Sequence, residues 1–133
     1  MRPVSHIPHW PPSPSPLVAG AREAGVPLAD VEEGATLNIS AGTRVIGEAG
    51  SVGTLIVERG GTLNAIGTRE APIVFTSDQP AGSRARGDWG GIIINGRAPV
   101  NLIGGQGEGE GDTGVYGGND PNDSSGRLSY VRV

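Results

Sequence analysis

Apolar residues along this chain gather into short runs separated by glycine-bearing turns. The clearest are residues 36–40 (TLNIS), 54–58 (TLIVE), 72–77 (PIVFTS) and 90–96 (GGIIING). Runs of this length, rich in β-branched side chains and bounded by glycine, predict β-strands. Helices are not expected, because no stretch keeps apolar residues at i, i+3 and i+4 over ten positions without a glycine.

The runs also repeat. Gly34-Ala35-Thr36-Leu37-Asn38 returns as Gly60-Gly61-Thr62-Leu63-Asn64, an offset of 26 residues. Repeats of roughly 20–50 residues mark solenoids, in which each unit buries its apolar face against the next. Three short strands per repeat, broken by turns, predict an all-β chain folded as a right-handed parallel β-helix of about two and a half to three coils. Face A is assigned to residues 36–40, 62–66 and 99–102. Face B takes 43–47, 72–76 and 128–133, and face C takes 54–58 and 91–95. A β-sandwich would also accommodate eight short strands, but it has no reason to reuse the GxTLN motif.

Alternation within each strand says which side chains turn inward. On face A, Leu37, Leu63 and Val100 are expected inside, with Asn38, Asn64 and Asn101 outside. Face B places Val45, Ile73 and Phe75 inside. Face C places Leu55, Val57, Ile92 and Ile94 inside, which turns Ile56 and Ile93 outward. Two stacked isoleucines facing water would be unusual, so another segment is expected to cover that face.

Two insertions interrupt the coils, at 78–90 and 103–127, and such loops are where solenoids commonly bind. Ahead of the coils, residues 1–30 read as a Pro-rich leader or linker. Its first 20 residues hold six prolines, which lack a backbone donor and favour an extended, unstructured arm. His6, His9 and Trp10 in that arm could serve a metal-binding or docking tail, but an unstructured leader explains them more simply.

Composition refines this picture. The 24 glycines and 11 prolines make up just over a quarter of the 133 residues, which raises disorder as an alternative. The clustering of the apolar residues favours a folded domain instead. A net charge of −4, with no basic patch interleaved with aromatics, gives no support to nucleic-acid binding. There is no cysteine, hence no disulfide framework and no Cys-based metal site or nucleophile. No transmembrane segment is expected, since no apolar stretch approaches the roughly 18 residues a membrane span needs. The N-terminus has no continuous apolar region of the kind a signal peptide carries.

The succession EGATLNISAGTRV, GTLIVERGGTLNAIGTREAPIVFTS, GDWGGIIINGRAPVN and YGGNDPNDSSGRLSYVRV, over residues 31–133, resembles the N-terminal portion of large bacterial cell-surface parallel β-helix proteins. These are often labelled lipoproteins or hypothetical secreted proteins. The resemblance implies a secreted or cell-surface location, including the outer membrane, and brings no reaction and no catalytic residues. The missing export signal and the stop in mid-coil at Val133 lead us to expect a fragment, with the remaining coils of a longer chain as its partner.

Candidate chemistry is sparse. The 103–127 loop brings Glu108, Glu110, Asp112, Asp120 and Asp123 among glycines, and Ca²⁺ wants six to eight oxygen ligands of this kind. Asp112, Asp120 and Asp123 are the calcium candidates, although their spacing matches neither an EF-hand loop nor the calcium nonapeptide of β-helices. A solvated loop whose charges favour solubility is the simpler explanation. Trp89, within Gly87-Asp88-Trp89-Gly90-Gly91, could stack on a sugar, but covering a coil edge is the stronger reading, with Asp88 as a turn residue. Arg44, Glu58 and Arg59 lie on different faces and form no compact acid–base set, and both histidines sit in the leader. The expectation is therefore a non-catalytic structural or adhesive module that presents loops to polysaccharide or to cell-surface and matrix components. The alternative is the N-terminal coils of a carbohydrate-active enzyme, a polysaccharide lyase or glycosidase, whose catalytic part lies beyond Val133.

Overall fold

The computed structural model describes residues 22–26 and 28–133. Twelve strands follow one another: β1 (Arg22–Val26), β2 (Leu28–Val31), β3 (Thr36–Ile39), β4 (Thr43–Gly47), β5 (Thr54–Val57), β6 (Thr62–Ile66), β7 (Ile73–Ser77), β8 (Gly91–Ile94), β9 (Gln106–Glu108), β10 (Val115–Gly117), β11 (Gly126–Ser129) and β12 (Val131–Arg132). A single 3₁₀ turn at Ala49–Ser51 is the one helical element among the described residues. No described helix is long and apolar enough to cross a membrane.

Ten of these strands form three parallel sheets, in the orders β3-β6-β11, β1-β4-β7-β12 and β2-β5-β8. The chain visits the sheets in rotation. β1, β2 and β3 make one coil, β4, β5 and β6 a second, and β7, β8 and β11 a third, with β12 opening a fourth. The fold is a parallel β-helix. The repeated GxTLN motif stacks as expected, with Leu37 over Leu63 and Asn38 over Asn64 in parallel register. The Asn64 side-chain amide donates to Asn38 Oδ1 at 3.1 Å, a rung-to-rung bond that identical residues at one position make possible.

The core fills the space between the three sheets. Leu55, Val57, Val45, Ile73, Phe75 and Leu63 are all buried there, and Leu37 and Ile92 pack against them. Inward positions repeat in space from coil to coil, so apolar side chains of the middle coil meet apolar neighbours above and below. Face C differs from the other two. Its middle strand β5 is buried on both sides, with Ile56 only 1% exposed although it points away from the core. A strand covered on both faces reads as a continuous apolar run, which is why TLIV lacks polar alternation.

Three assignments need correction. Residues 99–102 are not the third rung of face A. That place belongs to β11, whose Gly126 to Ser129 pair with Leu63 to Ile66, so Arg127 rather than Asn101 continues the asparagine ladder. Pro99 has no N–H to give a ladder, and after β8 the chain leaves the coil altogether. The run 128–133 divides at Tyr130, whose φ of 49° turns a corner: Leu128 and Ser129 lie on face A, and only Val131 and Arg132 pair on face B. The coils also begin before residue 31, because β1 and the first three residues of β2 lie within the span read as leader. The leader's residues 1–20, with His6, His9 and Trp10, lie outside the described residues.

Candidate functional site

Two excursions leave the coils. The first, residues 78–90, connects β7 to β8 and is pinned at its end by Asp88. The Asp88 carboxylate accepts from the Ala85 N–H at 3.0 Å and from Ser77 Oγ at 2.7 Å. These two donors, the backbone one foremost, hold its carboxyl below the usual carboxylate range. A group kept ionised in this way is a loop anchor and a poor proton donor. Trp89 next to it turns inward. Its ring stacks on Phe75, with centroids 6.4 Å apart and planes within 4°. Gly47 makes the room: a Cβ there would lie 2.5 Å from the indole. Trp89 is therefore a half-buried side chain packed against the core, with one flank of its ring taken up by Phe75.

The second excursion leaves after β8 and returns at β11. Its neck is closed by main-chain bonds from Gly117 N–H to Gly96 O (2.8 Å) and from Asp120 N–H to Arg97 O (3.1 Å). Asp123 Oδ2 accepts from the Arg97 N–H at 2.7 Å, and Asp120 Oδ1 from the Asn122 N–H at 3.0 Å. The Arg97 guanidinium pairs with Glu33 of the first coil, and Arg59 Nη1 donates to Gly117 O at 2.9 Å. Beyond the neck, β9 and β10 form an antiparallel hairpin. Gly107 lets the end of the Tyr116 side chain lie close across the hairpin, where a Cβ would come within 2.6 Å of it. Asn95, at the end of the GGIIIN run and 3% exposed, donates its side-chain amide to Thr113 O at 2.8 Å and ties the loop beyond β9 to face C.

Between this excursion and β8 lies a groove of about 450 Å³. Ile93, Ile94 and Asn95 line one side. Ala98, Pro99 and Val100, with Glu110, Thr113 and Tyr116, line the rest. The surface is mainly apolar, with one aromatic ring, one carboxylate and one amide among its side chains. Sequence reasoning missed Asn95 and Tyr116 as members of a site. The available signals were an asparagine closing an aliphatic strand and the lone tyrosine of an acidic, glycine-rich loop.

The structure does not bring the calcium candidates together. Asp120 and Asp123 serve the neck, while Asp112 is exposed at a loop tip with φ 61°. Among the described residues, no three His, Asp or Glu side chains converge on a point that could hold a metal ion. Arg59 belongs to the neck.

The sequence profile of the pectate-lyase like beta helix domain matches residues 27–133. No curated protein and no solved structure matches the chain. Three parallel sheets stacked coil upon coil, with that match spanning most of the sequence, make this chain a member of the pectate-lyase like β-helix domain family.

Proposed function

We propose that this domain is a non-catalytic structural or adhesive module of a secreted or cell-surface protein. It stacks with the remaining coils of a longer chain and presents its second excursion to polysaccharide or matrix. The observation that carries this reading is the use of the excursion's polar groups. Arg59, Arg97 and Asn95 tie the loop to the coils, Asp123 closes its neck on the Arg97 N–H and Asp120 fixes its own turn, which together build a shaped surface. Groups engaged in this way hold a loop still, as a presenting surface requires.

A second reading, the opening coils of a carbohydrate-active enzyme, is favoured by the family's name and by Glu110 and Tyr116 on one groove wall. One experiment separates the two. The purified chain is mixed with insoluble polysaccharides for co-sedimentation and with polygalacturonate for product analysis. Retention on at least one polymer with no new chain ends supports the module. Release of unsaturated or reducing ends would place catalysis within these coils and overturn the module, and retention on no polymer would refute the presentation of the excursion to polysaccharide.

A further inference from the structure

The second excursion carries charge of one sign only. Residues 98–126 hold five carboxylates and no cationic side chain, more negative charge than the whole chain's net −4. Asp120 and Asp123 are occupied by main-chain N–H groups at the neck. Glu108, Glu110 and Asp112 are exposed, and among the described residues none of their carboxylates has a partner. The arginines at the neck do not offset them, since Arg97 pairs with Glu33 and Arg59 donates to Gly117 O.

This uncompensated charge stands at the groove. Glu110 is part of its lining, with Glu108 and Asp112 two residues away on either side. The other polar side chains there are set to accept. Asn95 is 3% exposed and gives its amide to Thr113 O, which leaves Oδ1 facing the groove with no described residue donating to it. Thr113 Oγ1 spends its proton on Glu110 O at 2.9 Å. A buried acceptor held open in this way is costly unless something in the groove donates to it. Beside these acceptors lie the Tyr116 ring and the aliphatic surface of Ile93 and Val100.

Such a groove repels uronates and sulfated sugars, whose charge is its own. It suits a ligand that is cationic, rich in donors and apolar on one face. We propose that it binds an amino polysaccharide, a chain of hexosamine units with free, protonated amines. The ammonium pairs with Glu110, a ring hydroxyl donates to Asn95 Oδ1, and the C–H face of the sugar lies against Tyr116. A basic peptide would bring the charge on a flexible stem, without a hydroxyl beside it or a flat C–H face for the tyrosine. The proposal rests on the reading of the excursion as a surface presented to polysaccharide, and it names the class of polysaccharide, opposite in charge to pectate.

The test titrates the whole chain with short glucosamine oligomers, read by calorimetry in mildly acidic buffer where the sugar amines are protonated. Saturable binding is expected, about tenfold or more tighter than for N-acetylated oligomers of equal length or for oligogalacturonate, and weakening as salt is added. Glu110→Gln should weaken it by about tenfold, whereas Glu70→Gln, which removes an exposed carboxylate outside the groove, should leave it unchanged. Tyr116→Leu keeps the charge and should weaken binding as well. Should that variant fail to fold, the Glu110 and Glu70 pair carries the test, because both side chains are exposed. Equal losses in Glu110→Gln and Glu70→Gln would mean diffuse attraction of a polycation and would overturn the proposal. Oligolysine bound as tightly, with the same dependence on Glu110, would mean a site for basic peptides and would overturn it too. Retention of neutral or acidic polysaccharides without glucosamine binding would sink the proposal and leave the presenting module standing, whereas retention of none would remove both.

Discussion

Val52, Asp112 and Tyr130 are the non-glycine residues with φ in the left-handed region among those described, and each stands at a corner or loop tip. Val52 is the costliest, since a β-branched side chain fits that region worst. It is also 52% exposed, so little packing is at stake. Val52→Asn should raise stability by about 1 kcal/mol, seen as a higher urea midpoint at unchanged slope. Tyr130 shows why residue-level reading failed near the C-terminus: nothing in SYVRV marks a tyrosine as a corner, so the run reads as one strand. Asp88 carries a pH dependence of definite sign. Its folded-state carboxyl is held below the ordinary value, first by the Ala85 N–H and then by Ser77. The stabilisation it lends is present above the ordinary carboxylate range and is lost as pH falls through the lowered value. Trp89 fluorescence in a Trp10→Phe background should therefore change in acid as the 78–90 loop loosens, and Asp88→Asn should flatten that change. An unaltered acid transition in Asp88→Asn would assign it to other carboxylates.

Strands on the middle coil were the legible elements. Residues 54–57, 62–66 and 43–47 announce themselves because each is aliphatic, bounded by glycine and echoed elsewhere. β1 and β2 were not legible as such, since REAGV and LADV hold small or charged residues where strands usually carry bulk. One signal was available: the 26-residue offset that relates Gly34 to Gly60 also carries residues 54–57 back to 28–31. The third rung of face A was hidden by distance. An excursion separates β8 from β11, and its interior offers Pro99 and Val100 as a decoy. Trp89 was legible as a structural residue, but the glycine that admits it was not, since Gly47 looks like any strand-ending glycine. Gly47→Ala should cost about 1–3 kcal/mol through collision with the indole. In a Trp89→Ala background the same substitution should cost little, and chemical denaturation of the four variants reads the coupling. Additive costs would mean that Gly47 is needed for a reason other than the indole.

At the scale of the whole molecule, a short β-rich chain with few aromatics makes its core by repetition. Small aliphatic side chains suffice because each rung meets the same positions above and below. The groove could not be read from sequence, because it depends on where a glycine-rich excursion is tied down, and those ties join residues far apart, such as Arg97 with Glu33 and Asn95 with Thr113. Coil 3 closes over coil 2 through β11, leaving the residues between β8 and β11 outside the solenoid. The chain has no cysteine, so pairs of introduced cysteines report register cleanly. Position 64 lies directly opposite position 127, about 4.8 Å away across a parallel rung, whereas Asn101 sits in the excursion. Asn64→Cys/Arg127→Cys and Asn64→Cys/Asn101→Cys are each treated with a short thiol-bridging reagent and analysed by mass spectrometry. Rapid intramolecular bridging of the first pair and none of the second is expected; bridging of 64 with 101 in place of 127 would mean that residues 99–102, and not β11, form the third rung.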